Sequence, residues 1–162
     1  MGSLQTIVLY ARRNTGLCAL SYLVASGHTV KVISDDENIL WMADKLGCEI
    51  VTFDTMGEFG LFICVHGNKV LDKKYLVPGR MVNIHPCLGQ YPGHNPIKKY
   101  IENKNTIGTV ESQYLIEEVD AGEVIHTENF ITKPCNTFAD FYNVALPKYF
   151  VVLEATLRKL EA

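Results

Sequence analysis

Residues Asn83 to Pro96 read N-I-H-P-C-L-G-Q-Y-P-G-H-N-P. Asn83 and His85 close an apolar run two positions apart, and side chains two apart on a strand project from one face. An amide and an imidazole therefore look into the same space where the strand stops and a Pro/Gly-rich turn begins. Asp120 stands further on, two residues before Gly122. A carboxylate beside an imidazole raises the imidazole pKa and holds its orientation, which suits a general acid or base. An amide N–H beside that imidazole can stabilise an oxyanion. Together Asn83, His85 and Asp120 suit acyl transfer without a covalent nucleophile. The same residues also read as a strand end and a turn former.

The elements that must position them alternate. Gln5 to Ala11 is a continuous apolar run, as a parallel strand buried on both faces shows. A helix follows over Gly16 to Ser26, with Asn14 or Thr15 as its cap and Gly27 as its stop. Val30 to Ile33 reads as a second strand. A helix then runs through Ile39 to Leu46, capped by Asp35 or Asp36 and ended by Gly47. Cys48 to Phe53 and Leu61 to Val65 are the third and fourth strands. A helical turn sits near Asp72 to Leu76, ahead of the strand Met81 to His85. Such alternation with short connections predicts an α/β fold with a mainly parallel sheet, whose sites form outside the carboxyl ends of the strands. After the turn, Asn95 to Lys104 reads as a helix with Pro96 at its first position. Thr109 to Val119 and Glu123 to Thr132 are long β-rich runs joined hairpin-fashion through Asp120-Ala121-Gly122. Thr137 to Leu160 is helical, with Pro147 expected to kink or split it. No repeat or linker interrupts residues 1–162, which read as a single domain.

A net charge of −3 argues against a nucleic-acid binder, which is usually basic. No apolar run approaches the roughly 18 residues of a membrane span. The amino end is unlike a secretory signal. Gly2 and Thr6 fit a loose myristoylation pattern, although the strand beginning at Gln5 is the stronger reading. The five cysteines are scattered without a C-x-x-C pair, which suggests neither a disulfide framework nor a structural zinc site. Cys87 beside His85 lacks the placement of a Cys/His nucleophile. His85, His94, Asp120 and His126 lack metal-ligand spacing, so no metal is expected. The chain reads as cytoplasmic.

N-I-H-P, a Y-P-G turn and then E-E-V-D-A-G-E-V-I resemble the formyltransferases that use N10-formyltetrahydrofolate. That family includes phosphoribosylglycinamide, methionyl-tRNA and nucleotide-sugar N-formyltransferases. The resemblance implies a Rossmann-like formyltransferase fold, with helices on both faces of a mainly parallel sheet and antiparallel strands toward the carboxyl end. It implies N10-formyltetrahydrofolate as formyl donor and direct attack by an acceptor amine on the formyl carbon. Asn83 and protonated His85 would stabilise the tetrahedral oxyanion. Asp120 would orient and charge His85, or order a water that relays the amine proton. The pterin would lie against the backbone of Lys69, Val70 and Leu71 and of Glu117, Glu118 and Val119. Many members carry a histidine seven residues before the aspartate, where this chain has Gln113. After His-Pro, Cys87-Leu88-Gly89-Gln90 is about one residue shorter than the usual stretch.

The acceptor side is drawn from two further segments. Arg12, Arg13 and Asn14 stand between a parallel strand and a helix N-terminus, a ready anion site. Two solvated loop arginines are an equal reading. Tyr91 belongs to the shortened turn, and Gly93-His94-Asn95-Pro96 resembles the nucleotide-sugar branch, although Asn95 also suits a helix cap. The expected acceptor is thus the amine of a nucleotide-linked amino sugar. A methionyl-tRNA enzyme's RNA-binding domain finds no room in 162 residues. The lack of a Gly/Ser-rich phosphate loop counts against glycinamide ribonucleotide. A non-catalytic folate- or nucleotide-binding module is the alternative of another class. A homodimer through the β-rich strands or the last helix stays open.

Overall fold

The computed structural model describes residues 6–161. Gly2 and Gln5, invoked above for acylation and the first strand, lie outside them. The chain forms two compact units, residues 1–83 and 84–162.

In the first unit, β1 (Ile7–Ala11), β2 (Val30–Ile33), β3 (Glu49–Ile50) and β4 (Leu61–Val65) run parallel in the order β3-β2-β1-β4. β1 and β4 are buried throughout, which is why each reads as an unbroken apolar run. Helices α1 (Arg13–Ala25) and α2 (Glu37–Lys45) provide the crossovers. Gly16 on α1 has no room for a side chain, since a Cβ there would lie 2.8 Å from that of Ala11. β3 spans two residues, not the six of Cys48 to Phe53. Val51 still donates its N–H to Val32, and Phe53 then leaves the sheet to stack edge-on against Tyr10, centroids 5.1 Å apart. A 3-10 turn at Lys73–Tyr75 precedes β5 (Met81–Pro86), capped by Asp72.

The division between the units falls within β5. In the second unit the latter half of β5 is followed in the sheet by β6 (Ile107–Tyr114) and then β7 (Val124–Ile131), the last two antiparallel. Helix α3 (Pro96–Glu102) connects β5 to β6, and α4 (Phe138–Glu161) packs on β6 and β7. The core here is aromatic: Phe141 meets Tyr100 and Phe130 edge-to-face at 5.2 and 5.5 Å. The strand order is that of a seven-stranded, Rossmann-like α/β fold, with parallel pairs in the first unit and the antiparallel β6–β7 pair in the second.

Several boundaries differ from the sequence reading. α1 begins at Arg13, so Asn14 and Thr15 are helical residues, and the capping residue Arg12 makes no side-chain cap. Asp36 does cap α2, accepting the Asn38 N–H at 3.0 Å. Asn95 precedes α3 in the left-handed region (φ 57°) without a side-chain cap, and the helix stops at Glu102 rather than Lys104. β6 ends at Tyr114, because the next nine residues form the loop that carries Asp120. α4 runs unbroken through Pro147. Proline at that exposed position removes one helix hydrogen bond, while the buried Phe141, Ala145, Tyr149 and Val152 hold both sides of it to the core. Among the described residues no helix is long and apolar enough to cross a membrane.

Candidate active site

β5 carries Asn83, half-buried, and His85, buried at 7% exposure, two residues apart and hence on one face. The strand ends sharply. Cys87 adopts a left-handed φ of 52°, and its carbonyl takes the N–H groups of Gln90 and Tyr91 at 3.2 and 2.7 Å. Those bonds close the short turn that the sequence placed between Cys87 and Tyr91. Two more hold it from β6: the Cys87 N–H donates to the Thr109 carbonyl at 2.8 Å, and the Leu88 N–H to the buried Glu111 carboxylate at 2.6 Å. The shortened segment is therefore a rigid turn.

The second unit brings His85 and Asp120 together, with Nε2 to Oδ2 at 3.4 Å and both side chains about nine-tenths buried. His85 Nδ1 lies 2.7 Å from the Pro86 carbonyl and Nε2 lies 3.2 Å from the Gly93 carbonyl. The Gly93 N–H donates to Asp120 Oδ2 at 2.6 Å, and Gln113 Nε2 donates to Oδ1 at 2.9 Å. Burial alone would lower the His85 pKa. The adjoining Asp120 carboxylate and the Gly93 and Pro86 carbonyls outweigh it and leave that pKa above its ordinary value. Asp120 is held below the usual carboxylate range, first by His85, against burial, and further by the Gly93 and Gln113 donors. An imidazolium kept charged by a fixed carboxylate is an acid that can face a developing oxyanion.

The D-x-G pattern has a steric cause. Asp120 itself is left-handed (φ 56°), and a Cβ on Gly122 would stand 1.7 Å from the Tyr114 carbonyl oxygen. Only glycine lets the loop press against the end of β6 and so present Asp120 to His85. Tyr114 also receives the chain there, its N–H donating to the Glu123 carbonyl at 3.0 Å. Cys87, two residues from His85, is fully buried, and its thiol is pushed up to about 11 by that burial, which does not suit a nucleophile.

The remaining sequence candidates fare unevenly. In the second unit, Glu117, Glu118 and Val119 are exposed in the Asp120 loop. The Tyr91 hydroxyl donates to Asn105 Oδ1 at 2.7 Å and accepts from Asn103 Nδ2 at 3.0 Å. His94 and Asn95 are exposed on the turn. In the first unit, Lys69 and Val70 are exposed and Leu71 half-buried; the Lys69 and Asn68 N–H groups are held by the Tyr10 hydroxyl at 3.2 and 3.0 Å. Arg12 Nε is paired with Asp35 at 2.7 Å, whereas Arg13 and Asn14 are exposed. The residue whose role spacing does not reveal is Gln113. Its only sequence signal is its place seven residues before Asp120, where the resemblance noted above implies a histidine.

The formyl transferase family model matches residues 55–146, a span that includes His85, Gln113 and Asp120. Methionyl-tRNA formyltransferase of Borrelia hermsii (strain HS1 / DAH) is 35% identical over 144 residues, which are 86% of this chain and 46% of that protein. Phosphoribosylglycinamide formyltransferase of Dictyostelium discoideum is 42% identical over 62 residues, 35% of this chain and 30% of that protein. The chain thus spans less than half the length of these curated relatives. The crystal structure of the sugar 3N-formyl transferase WlaRD, with dTDP and 5-N-formyl-THF, superposes with a TM-score of 0.82 at 19% identity, covering 98% of this chain and 64% of that one. At that identity the likeness concerns the fold. The family match extends over more than half of the 162 residues, and with it the chain is established as a member of the formyl transferase family.

Proposed function

We propose that this chain moves a formyl group from N10-formyltetrahydrofolate to a primary amine on a nucleotide-linked amino sugar. The observation that carries the reading is the buried His85–Asp120 pair, with the carboxylate held by Gly93 and Gln113. In the proposed reaction the amine attacks the formyl carbon and a C–N bond forms. The tetrahedral oxyanion is met by the Asn83 amide and by protonated His85, both presented by the end of β5. Asp120 keeps His85 charged and oriented, or orders a water that takes the amine proton. Collapse breaks the bond to N10, which takes up the relayed proton, and releases tetrahydrofolate. The pterin-reading backbone is that of Lys69 to Leu71 and of Glu117 to Val119, as the family motif implies. Residues 1–162 act here as one catalytic domain.

The sugar acceptor is supported by Gly93-His94-Asn95-Pro96 and by the fold-level likeness to WlaRD. A second acceptor, the amine of an aminoacyl-tRNA, is favoured by the 35% identity to the Borrelia hermsii enzyme across 86% of the chain. The deciding experiment offers N10-formyltetrahydrofolate with a panel of acceptors: nucleotide 3-amino and 4-amino sugars, glycinamide ribonucleotide and methionyl-tRNA. Tetrahydrofolate release is followed. Release with an amino sugar is the expected result. Release with methionyl-tRNA alone replaces the acceptor, and folate binding without release to any acceptor overturns the enzyme in favour of a binding module.

A further inference from the structure

Asp120 has two carboxylate oxygens, and the second unit treats them differently. Oδ2 faces His85 Nε2 at 3.4 Å and accepts the Gly93 N–H at 2.6 Å, while Oδ1 accepts from Gln113 Nε2 at 2.9 Å. Gln113 is 1% exposed. The orientation of its amide is forced, because the opposite assignment would set Oε1 against a carboxylate with no proton between them. Oε1 therefore turns away from Asp120, where it is buried without a hydrogen-bond partner. An amide with only one half satisfied is a poor choice for stabilising a core. The half that is satisfied is the donor half, on Asp120.

The backbone around Gln113 is also shaped for this contact. Ser112 pairs with His126, but Gln113 pairs with Val124, so Ile125 is an extra residue opposite this point of β6. Such a bulge twists the ladder locally and re-aims a side chain. One residue later, Tyr114 receives the close approach of Gly122. Side chain and backbone of consecutive residues thus grip the Asp120 loop at two places.

Resting on the formyl-transfer reading above, we infer that Gln113 is the positioning residue of this site, an uncharged donor that fixes the rotation of the Asp120 carboxylate and keeps Oδ2 on His85. Without it Oδ1 would have no donor and the carboxylate could turn about its axis, loosening the contact that charges His85. Because an amide has no ionisation, it performs this task without adding a titration of its own. The ionisable groups nearest it are Asp120 and, through it, His85, with Glu111 two residues earlier and Tyr114 next on β6, and His126 opposite Ser112 on β7.

The test compares Gln113→Met, similar in volume but without a donor, with Gln113→His, which restores an N–H, and Gln113→Glu, nearly isosteric. Gln113→Met is expected to lower kcat at least tenfold, with the donor KM within about threefold and the thermal midpoint nearly unchanged. Gln113→His should recover most of the loss and add an ionisation to the pH–rate profile. In Gln113→Glu the neutral carboxyl can still donate to Asp120, so turnover should survive at acid pH and fall as pH rises and two carboxylates face each other. The readout that does not depend on turnover is the His85 ring titration by NMR, assigned with His85→Ala. Its midpoint should drop in Gln113→Met. An unchanged midpoint overturns the positioning role even if no acceptor is ever formylated. An inactive wild type whose His85 midpoint still drops removes the formyl-transfer reading and leaves the contact itself intact.

Discussion

After β1 the chain leaves Arg12 half-buried and Arg13 exposed, and at the end of β5 it buries His85. Both strand ends are followed by a left-handed non-glycine residue, Arg13 at φ 63° and Cys87 at φ 52°. Strain of that kind costs on the order of 1–3 kcal/mol and persists only where the surroundings enforce it. At Cys87 the enforcement is visible: its own N–H and carbonyl and the next N–H are all engaged within the second unit. At Arg13 the N–H accepts a softer restraint, donating to Asp36 Oδ2 at 2.9 Å, while Arg12 pairs with Asp35. That pair is 31% and 54% exposed on its two sides, so water and salt screen it. The His85–Asp120 pair has little water to screen it and gains four further hydrogen-bonding groups, from Pro86, Gly93 (two) and Gln113. Both carboxylates are lowered by their partners, Asp35 by Arg12 and Asp120 by His85, but only the buried pair is shielded from water and salt.

The comparison breaks most severely at the buried pair. Under the proposed function, His85→Ala or Asp120→Asn lowers turnover by about 10²–10⁴-fold, measured as tetrahydrofolate release, with the fold preserved by circular dichroism. Near-wild-type rates in either variant would remove these residues from the chemistry. Gly122→Ala comes next. A Cβ 1.7 Å from the Tyr114 carbonyl forces the loop outward, so stability should fall by about 1–3 kcal/mol in denaturant titration and turnover should fall with it. A variant as stable as the parent would show that the loop accommodates the methyl group, and the steric account would be lost.

The pH dependence of stability sharpens the same contrast. His85 has a raised folded pKa, so its contribution is full below 6.5 and is lost as pH rises through the folded value. Asp120 has a lowered one, so its contribution is full above 3.8 and is lost as pH falls through the folded value. The stability difference between parent and Asp120→Asn should therefore peak between those two pH values and shrink on either side. A difference that stays flat with pH would mean the pair is not coupled. The smallest effect belongs to the exposed loop: Asp35→Asn should change stability by no more than about 1 kcal/mol, and less still in high salt. A loss of several kcal/mol there would erase the distinction between the two strand ends.

Much of this was legible in the residue pattern. β1 and β4 announce themselves as apolar runs because strands buried on both faces have no polar face to show, whereas β5 is marked by apolar residues alternating with Asn83 and His85. Gly27 and Gly47 mark helix ends because each sits at positive φ, 86° and 70°. Boundaries failed where tertiary contacts overrode local preference. Phe53 leaves the third strand for an aromatic partner, and Pro147 is carried through α4 by core residues on both sides of it. Tyr91, read as an acceptor contact, spends its hydroxyl on Asn103 and Asn105, a pairing that sequence distance hides.

By itself the sequence determined the alternation of strands and helices, the Asn83/His85 pair on one strand face, and the D-x-G pattern of a formyl transferase. These rest on short-range rules of period and turn chemistry that any reader of the chain can apply. Only the tertiary structure decided that Asp120 reaches His85 and that Gln113 and Gly93 hold it there. It likewise decided that Arg12 is already paired. The placing of Asp120 depends on a bulge between β6 and β7 and on a backbone approach too close for any side chain at Gly122. The bulge has no local signature, and the glycine of D-x-G does not show what it approaches, because both contacts are set by which distant segments the packed sheet brings together.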